Sequence, residues 1–197
     1  MSIARSIRLA TEEDLAAVEG IESAADGLFE PLLGPEPFGA ESATAGDARA
    51  AEPGFLLVAA ESEGSPAVGF VHVLEPTGPA GLVHLEQLAV LPEHLRRGHG
   101  RALVEAAAAE AASRGGTRLT LRTFAEVPWN RPFYAACGFR VVGPIDSDFH
   151  RGLARTEEEL GLTRLGTRVL MARDLTAPAA CSAPPAASSR SAPGRRG

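Results

Sequence analysis

The sequence predicts one α/β domain, and three observations lead there. At 197 residues the chain has the length of a single domain with a short extension. Short apolar runs bounded by Gly, Pro and Asn recur along it, as strands do. One of these runs, beginning at His84, passes through a glycine turn into an alanine-rich helical stretch and out to another apolar run, the pattern of a strand–helix–strand unit.

Ile3 to Leu9 alternates as a first strand, and Thr11 caps a helix with Glu13 and Asp14 in its first turn and Leu15, Val18, Ile21 and Ala25 at helical spacing. The stretch from Gly27 to Gly54 is rich in Pro, Gly and Ala and reads as a loop holding one short helix near Glu41 to Ala51. Within it Phe29, Leu32, Leu33 and Phe38 either line a site or plug the edge of the core, the core being favoured. Phe55 to Ala60 and Ala67 to Leu74 are strands joined by a turn at Glu63-Gly64-Ser65-Pro66. A second turn around Gly78 leads into the strand that carries His84. A hairpin centred on Gly78 sets His72 opposite His84 and Phe70 opposite Glu86, which would gather two imidazoles and a carboxylate on one face. That group has no metal-ligand spacing signature, so no metal is expected there.

The next stretch, HLEQLAVLPEHLRRGHGRALVEAAAAEAASRG, organises the rest. Leu85, Leu88, Val90 and Leu91 make the strand, which Pro92 ends. Arg97-Gly98-His99-Gly100 opens a helix that stops at Gly115-Gly116. The first-turn N–H groups of such a helix lack partners within it and carry the positive end of its dipole, an arrangement suited to phosphate or pyrophosphate. No Lys-Ser or Lys-Thr follows Gly100, against a nucleoside-triphosphate loop, and position 103 is leucine where a dinucleotide fold wants a third glycine. A plain strand-to-helix connection and a coenzyme A loop stay open. Thr117 to Phe124 follows as a strand, then a short helix with Phe133 and Tyr134, and a strand from Phe139 to Val142. Asp146 to Leu165 is polar, a loop or short helix, and Thr167 to Leu175 alternates as the last strand. From Thr176 the chain is Ala, Pro, Ser and Arg with little to bury, and is expected to be a disordered tail (176–197) behind a domain of residues 1–175.

Two blocks carry a resemblance. Leu88-Ala89-Val90-x-Pro92 with Arg97-Gly98-His99-Gly100-Arg101-Ala102-Leu103 resembles the acyl-CoA motif of the GNAT superfamily of N-acetyltransferases. Trp129-Asn130-Arg131-Pro132-Phe133-Tyr134 through Cys137-Gly138-Phe139 resembles the Phe-Tyr…Gly-Phe block that closes that fold. The resemblance spans about residues 5 to 175 and implies a mixed, mostly antiparallel central sheet of six to seven strands flanked by about four helices. Two positions depart from the family: Leu95 stands where Gln or Arg is usual, and Asn130 lies nearer Tyr134 than the family asparagine does.

The resemblance implies acetyl-CoA as cosubstrate and transfer of its acetyl group by direct attack of a primary amine. Leu88, Ala89 and Val90 would lie along the pantetheine and polarise the carbonyl, and Arg96, Arg97, Gly98, His99, Gly100 and Arg101 would hold the pyrophosphate. Tyr134, the sole tyrosine, stands where the family has a hydroxyl facing the coenzyme sulfur. Glu86 and His84, two apart on one strand and so on one face, are the candidate bases. A non-catalytic acyl-CoA-binding module on the same fold is the alternative. Small amines and peptide N-termini are both open as acceptors.

Composition narrows the partners. Net charge is −6, which argues against nucleic acid and mildly favours cationic acceptors such as amines. All 19 basic residues are arginine, so no lysine takes part in chemistry. No run reaches the roughly 18 apolar residues a membrane span needs. With no basic-then-apolar N-terminus, a cytoplasmic protein is expected, monomeric or homodimeric. Cys137 and Cys181 lack motif spacing and read as free thiols, Cys137 as a packing residue.

Overall fold

The computed structural model describes residues 6–34, 43–76, 78 and 80–175. Met1 to Arg5, Phe38 and the tail from Thr176, with Cys181, lie outside the described residues. Seven strands form one sheet in the order β1-β2-β3-β4-β5-β7-β6. They are β1 (Ser6–Leu9), β2 (Gly54–Ala60), β3 (Ala67–Leu74), β4 (Leu82–Val90), β5 (Arg118–Phe124), β6 (Arg140–Val141) and β7 (Arg168–Asp174). Only β4 and β5 pair in parallel; every other described pairing is antiparallel. A parallel pair needs a long crossover, and α4 (His99–Ser113) supplies it.

The α4 helix lies across one face of the sheet. Its buried stripe of Leu103, Val104, Ala107, Ala108, Ala111 and Ala112 repeats at helical spacing and packs on Leu57, Val71, Val83, Leu85, Leu119 and Leu121. Four of those six side chains are alanine, which lets the helix axis approach the strands closely. Cys137 is buried in this core, as a packing residue. On the opposite face α1 (Glu12–Asp26) sets Val18, Ile21 and Ala25 against Leu56, Val58, Phe70 and Ala89. Thr11 and Asp14 close a capping box at its start, and Arg8 pairs with Asp14.

Seven helices flank the sheet among the described residues, more than the four expected, because the polar stretches also fold. The helices α2 (Glu30–Leu33) and α3 (Gly46–Ala50) occupy the loop between α1 and β2, and α5 (Asn130–Ala136) carries Tyr134. The segment expected as a loop or short helix becomes α6 (Asp148–Glu159), begun by Ser147 accepting from the His150 N–H, and α7 (Leu162–Leu165). Phe29, Leu32 and Leu33 were favoured for the core and are not in it: none is buried, and Leu32 is 49% exposed. No described helix is long and apolar enough to cross a membrane.

Candidate functional site

Strands β4 and β5 pair only from Leu82↔Arg118 to Leu85↔Leu121. Beyond that, β4 stays with β3 as far as Val90, while β5 stays with β7 as far as Phe124. The sheet therefore splits along its parallel seam and leaves a cleft. The Leu91 N–H donates to the Val68 carbonyl across the β3 side. Backbone groups alternate along a strand, so Ala89 faces β3 and the N–H groups of Leu88 and Val90 face the open side.

A bulge sits at the head of the cleft. His72 pairs with Gln87 and Val73 with Leu85, so Glu86 is the extra residue. This overturns the expected hairpin register: His84 lies opposite Leu74, not His72, and Phe70 opposite Ala89, not Glu86. The hairpin is offset by two residues near its turn and by three past the bulge. No sequence signal marks a bulge, whose driving force is the fit of both flanking strands. Its effect is to send two neighbouring polar residues to the same side. Gln87 reaches Glu22 of α1 (2.9 Å), and Glu86 approaches His84 (Nε2 to Oε2 3.6 Å).

The two histidines go to different environments. His72 accepts from Arg49 of α3 (3.2 Å) within a buried group in which Arg49 also donates to both oxygens of Glu22. Burial and the nearby guanidinium hold its pKa down at about 4. His84, 2% exposed, meets Thr120 through Nδ1 at 2.8 Å. Since the Thr120 hydroxyl gives its proton to the Val83 carbonyl (3.1 Å), the network assigns the donating hydrogen to His84 Nδ1. The Nε2 lone pair is left toward Glu86. Burial, then the neighbouring His150, Arg122 and Arg168, lower the His84 pKa to about 3, so the ring is neutral at physiological pH.

Glu86 keeps 36% of its side chain accessible. Desolvation raises its pKa, opposed by Arg49 and Arg168, while Glu52 and Glu157 add to the rise. Both arginines are paired with carboxylates. Arg49 is held by Glu22, and Arg168 shares Glu157 with Arg122 (2.7 and 2.6 Å). At the end of α1, burial and the charge of Glu22 lift Asp26 to about 7.

The glycine turn lies at the other side of the split. Pro92–His94 forms a single 3₁₀ turn and Gly98 caps α4 with φ at 84°, a left-handed conformation that glycine adopts without strain. Ala102 N–H is the first to close on Gly98 O, so the N–H groups of Gly100 and Arg101 open outward. A methyl group on Gly100 would meet Phe133 at 3.5 Å and Val90 at 3.9 Å, both ordinary contacts. The fold itself therefore has no need of glycine at position 100. Arg96 and Arg97 are exposed, Arg97 on Glu61 at 2.7 Å, whereas Arg101 is tied to the Ala136 carbonyl at 3.2 Å. Glu61, His94 and His99 bring one donor atom each within 4.8 Å of the others, but Arg97 already brings positive charge to that carboxylate.

Tyr134 rests between Phe133 and Phe139 (ring centroids 5.1 and 5.9 Å), and burial raises its pKa with Arg168 opposing. Asn130, without a role in the sequence reading, donates to Thr123 Oγ1 at 2.9 Å and anchors α5 to β5. Sequence reasoning missed Glu22, Arg49, Gln87, Arg122, Glu157 and Arg168, which sit in the walls of the cleft. Their partners are far away along the chain and leave no local pattern.

A split mixed sheet with a glycine-opened helix N-terminus beside the split is an arrangement suited to an anionic ligand. The sequence matches the model of the acetyltransferase (GNAT) family over residues 21–139, and the chain belongs to that family. Solved structures of similar fold include a protein described as a GNAT-family acetyltransferase from Desulfovibrio desulfuricans (18% identity, TM-score 0.62, covering 88% of this chain and 100% of that one). The ribosomal-protein-S18-alanine N-acetyltransferase of Escherichia coli is another (20%, TM-score 0.59, 87% and 94%). A third is the PaiA N-acetyltransferase of Thermoplasma acidophilum in complex with coenzyme A (17%, TM-score 0.58, 87% and 99%). At these identities the likeness is one of fold.

Proposed function

We propose that the protein is a cytoplasmic acetyl-CoA-dependent N-acetyltransferase acting on a primary amine. The observation that carries this reading is the cleft opened by the end of β4–β5 pairing at Leu85↔Leu121, beside the outward N–H groups of α4. Pyrophosphate would sit on the amides of Gly98, His99 and Gly100 with Arg96 and Arg97 at its edge, and the pantetheine along Leu88, Ala89 and Val90. Arg101, tied to Ala136, braces the loop from behind.

Glu86 is the base in this reading. Its raised pKa brings a carboxylate toward the working range of a general base. His84, buried and neutral, stands behind Glu86 with Nε2 at 3.6 Å from its carboxylate, and in this reading it shapes the wall against which Glu86 rests rather than taking the proton. The Glu86 carboxylate takes the amine proton and the nitrogen lone pair forms the new N–C bond. The N–H groups of Leu88 and Val90 take the charge that builds on the carbonyl oxygen. As the C–S bond breaks, Tyr134 donates a hydrogen bond to the departing thiolate. The raised pKa of Tyr134 keeps it protonated and makes it a donor to the thiolate more than a source of a free proton.

The test is thiol release from acetyl-CoA across a panel of amine classes. Amine-stimulated release is expected; binding of acetyl-CoA by calorimetry with no release for any amine would leave only an acyl-CoA-binding module.

A further inference from the structure

Between β6, β7 and α6 lies a cavity of about 400 Å³ whose wall includes Arg122, Arg168, His150, Val141, Ile145 and Ala154. Two guanidinium groups in this wall share a single carboxylate. Arg122 uses Nε and Nη2 on Oε2 of Glu157 (2.8 and 2.6 Å), and Arg168 uses the same two nitrogens on Oε1 (2.8 and 2.7 Å). One carboxylate balances one of the two positive charges, and the Nη1 group of each arginine is left for another acceptor. Both arginines are largely buried, at 19% and 14% exposure, so the surplus charge is little screened by solvent.

His150 adds a second, independent observation. It is 5% exposed, its Nδ1 meets Ser147 Oγ at 2.8 Å, and its Nε2 is buried with no hydrogen-bond partner among the described residues. A buried polar nitrogen of this kind costs free energy unless something meets it. The cavity also adjoins the cleft: the His150 ring stands edge-on to His84 at 6.0 Å, and His84 is next to Glu86.

We infer that this cavity is an oxyanion subsite, so that the acceptor amine delivered to Glu86 also carries an acidic group, a carboxylate in the simplest case. Arg122 and Arg168 hold the oxyanion through their Nη1 groups, with His150 in the same wall. As a statement about the acceptor the inference rests on the acetyl-transfer reading above; as a statement about anion binding it does not.

The experiment compares ω-amino acids, from glycine to 5-aminovalerate, with n-alkylamines of matching chain length. For one member of the series kcat/KM should exceed that of its alkylamine by about tenfold or more, through KM, as a charge-assisted contact allows. Arg168→Gln and, at the 48% exposed wall, Val141→Glu should collapse that ratio toward one, circular dichroism confirming the fold. Saturation-transfer NMR with the same compounds reads binding without turnover. Binding of the amino acid that is lost in either variant supports the subsite even where no acetyl transfer occurs. Acidic and non-acidic amines that bind alike, or a preference that survives both folded variants, overturns it.

Discussion

The buried pair of Glu22 and Arg49 joins α1 to α3 across 27 residues of sequence, and removing one partner is the sharpest test of how the cleft is held. Arg49 places Nη2 at 2.6 Å and Nε at 3.3 Å on the two oxygens of Glu22, which also accepts from Gln87 at 2.9 Å and from the Thr44 N–H at 3.2 Å. Glu22→Ala strands a guanidinium that is 8% exposed. Breaking a buried pair from one side costs about 3–5 kcal/mol, of which roughly 1 kcal/mol here belongs to the hydrogen bond lost by Gln87. In a chain of this size that lowers Tm by roughly 6–20 °C. Glu22→Ala with Arg49→Met removes the orphaned charge, and the double variant should recover about 2 kcal/mol or more over Glu22→Ala alone. Urea denaturation followed by circular dichroism measures all three. Strictly additive losses, or a single-variant cost below about 1 kcal/mol, would refute the claim that this pair is desolvated and coupled.

Further outcomes follow from the site. Gly100→Ala should leave stability within about 1 kcal/mol of wild type, because a methyl there makes only ordinary contacts with Phe133 at 3.5 Å and Val90 at 3.9 Å, while calorimetry shows weakened coenzyme A binding. Arg49→Met removes a charge that opposes the raised pKa of Glu86, so the acidic limb of the kcat/KM profile should move to higher pH; Glu86→Gln should abolish that limb. Tyr134→Phe should lower kcat at saturating amine, and an unchanged kcat would remove Tyr134 from the reaction. Asp14, held at about 2 by its bond to Arg8, stabilises the fold above its unfolded pKa. That contribution, about 1–2 kcal/mol after allowance for the partly exposed Arg8, should fade as pH falls from about 4 to 2, and Asp14→Asn should be least costly at the acid end.

Much of the frame was legible from local pattern. The strands from Phe55 to Leu74, the glycine turn at Gly98, the alanine-rich α4 and the Phe133-Tyr134 helix each carry their signal within a dozen residues. Propensity, periodicity and the backbone demands of glycine are properties of neighbours, so sequence reads them. The α6 helix was half legible: its polar stretch reads as a loop or short helix, but its charges hide a helix whose Glu157 is satisfied by Arg122 and Arg168 on two separate strands.

Sequence by itself determined that a glycine turn opens α4 and that Glu86 and His84 lie on one strand face. The tertiary structure alone decided the bulge that turns Glu86 and Gln87 to the same side, the sorting of His72 and His84 into separate surroundings, and the arginine pairs walling the cleft. The reason is physical. Strand register and buried ion pairs are settled by the packing of surfaces brought together from distant parts of the chain, and no residue's neighbours along the sequence encode that free energy.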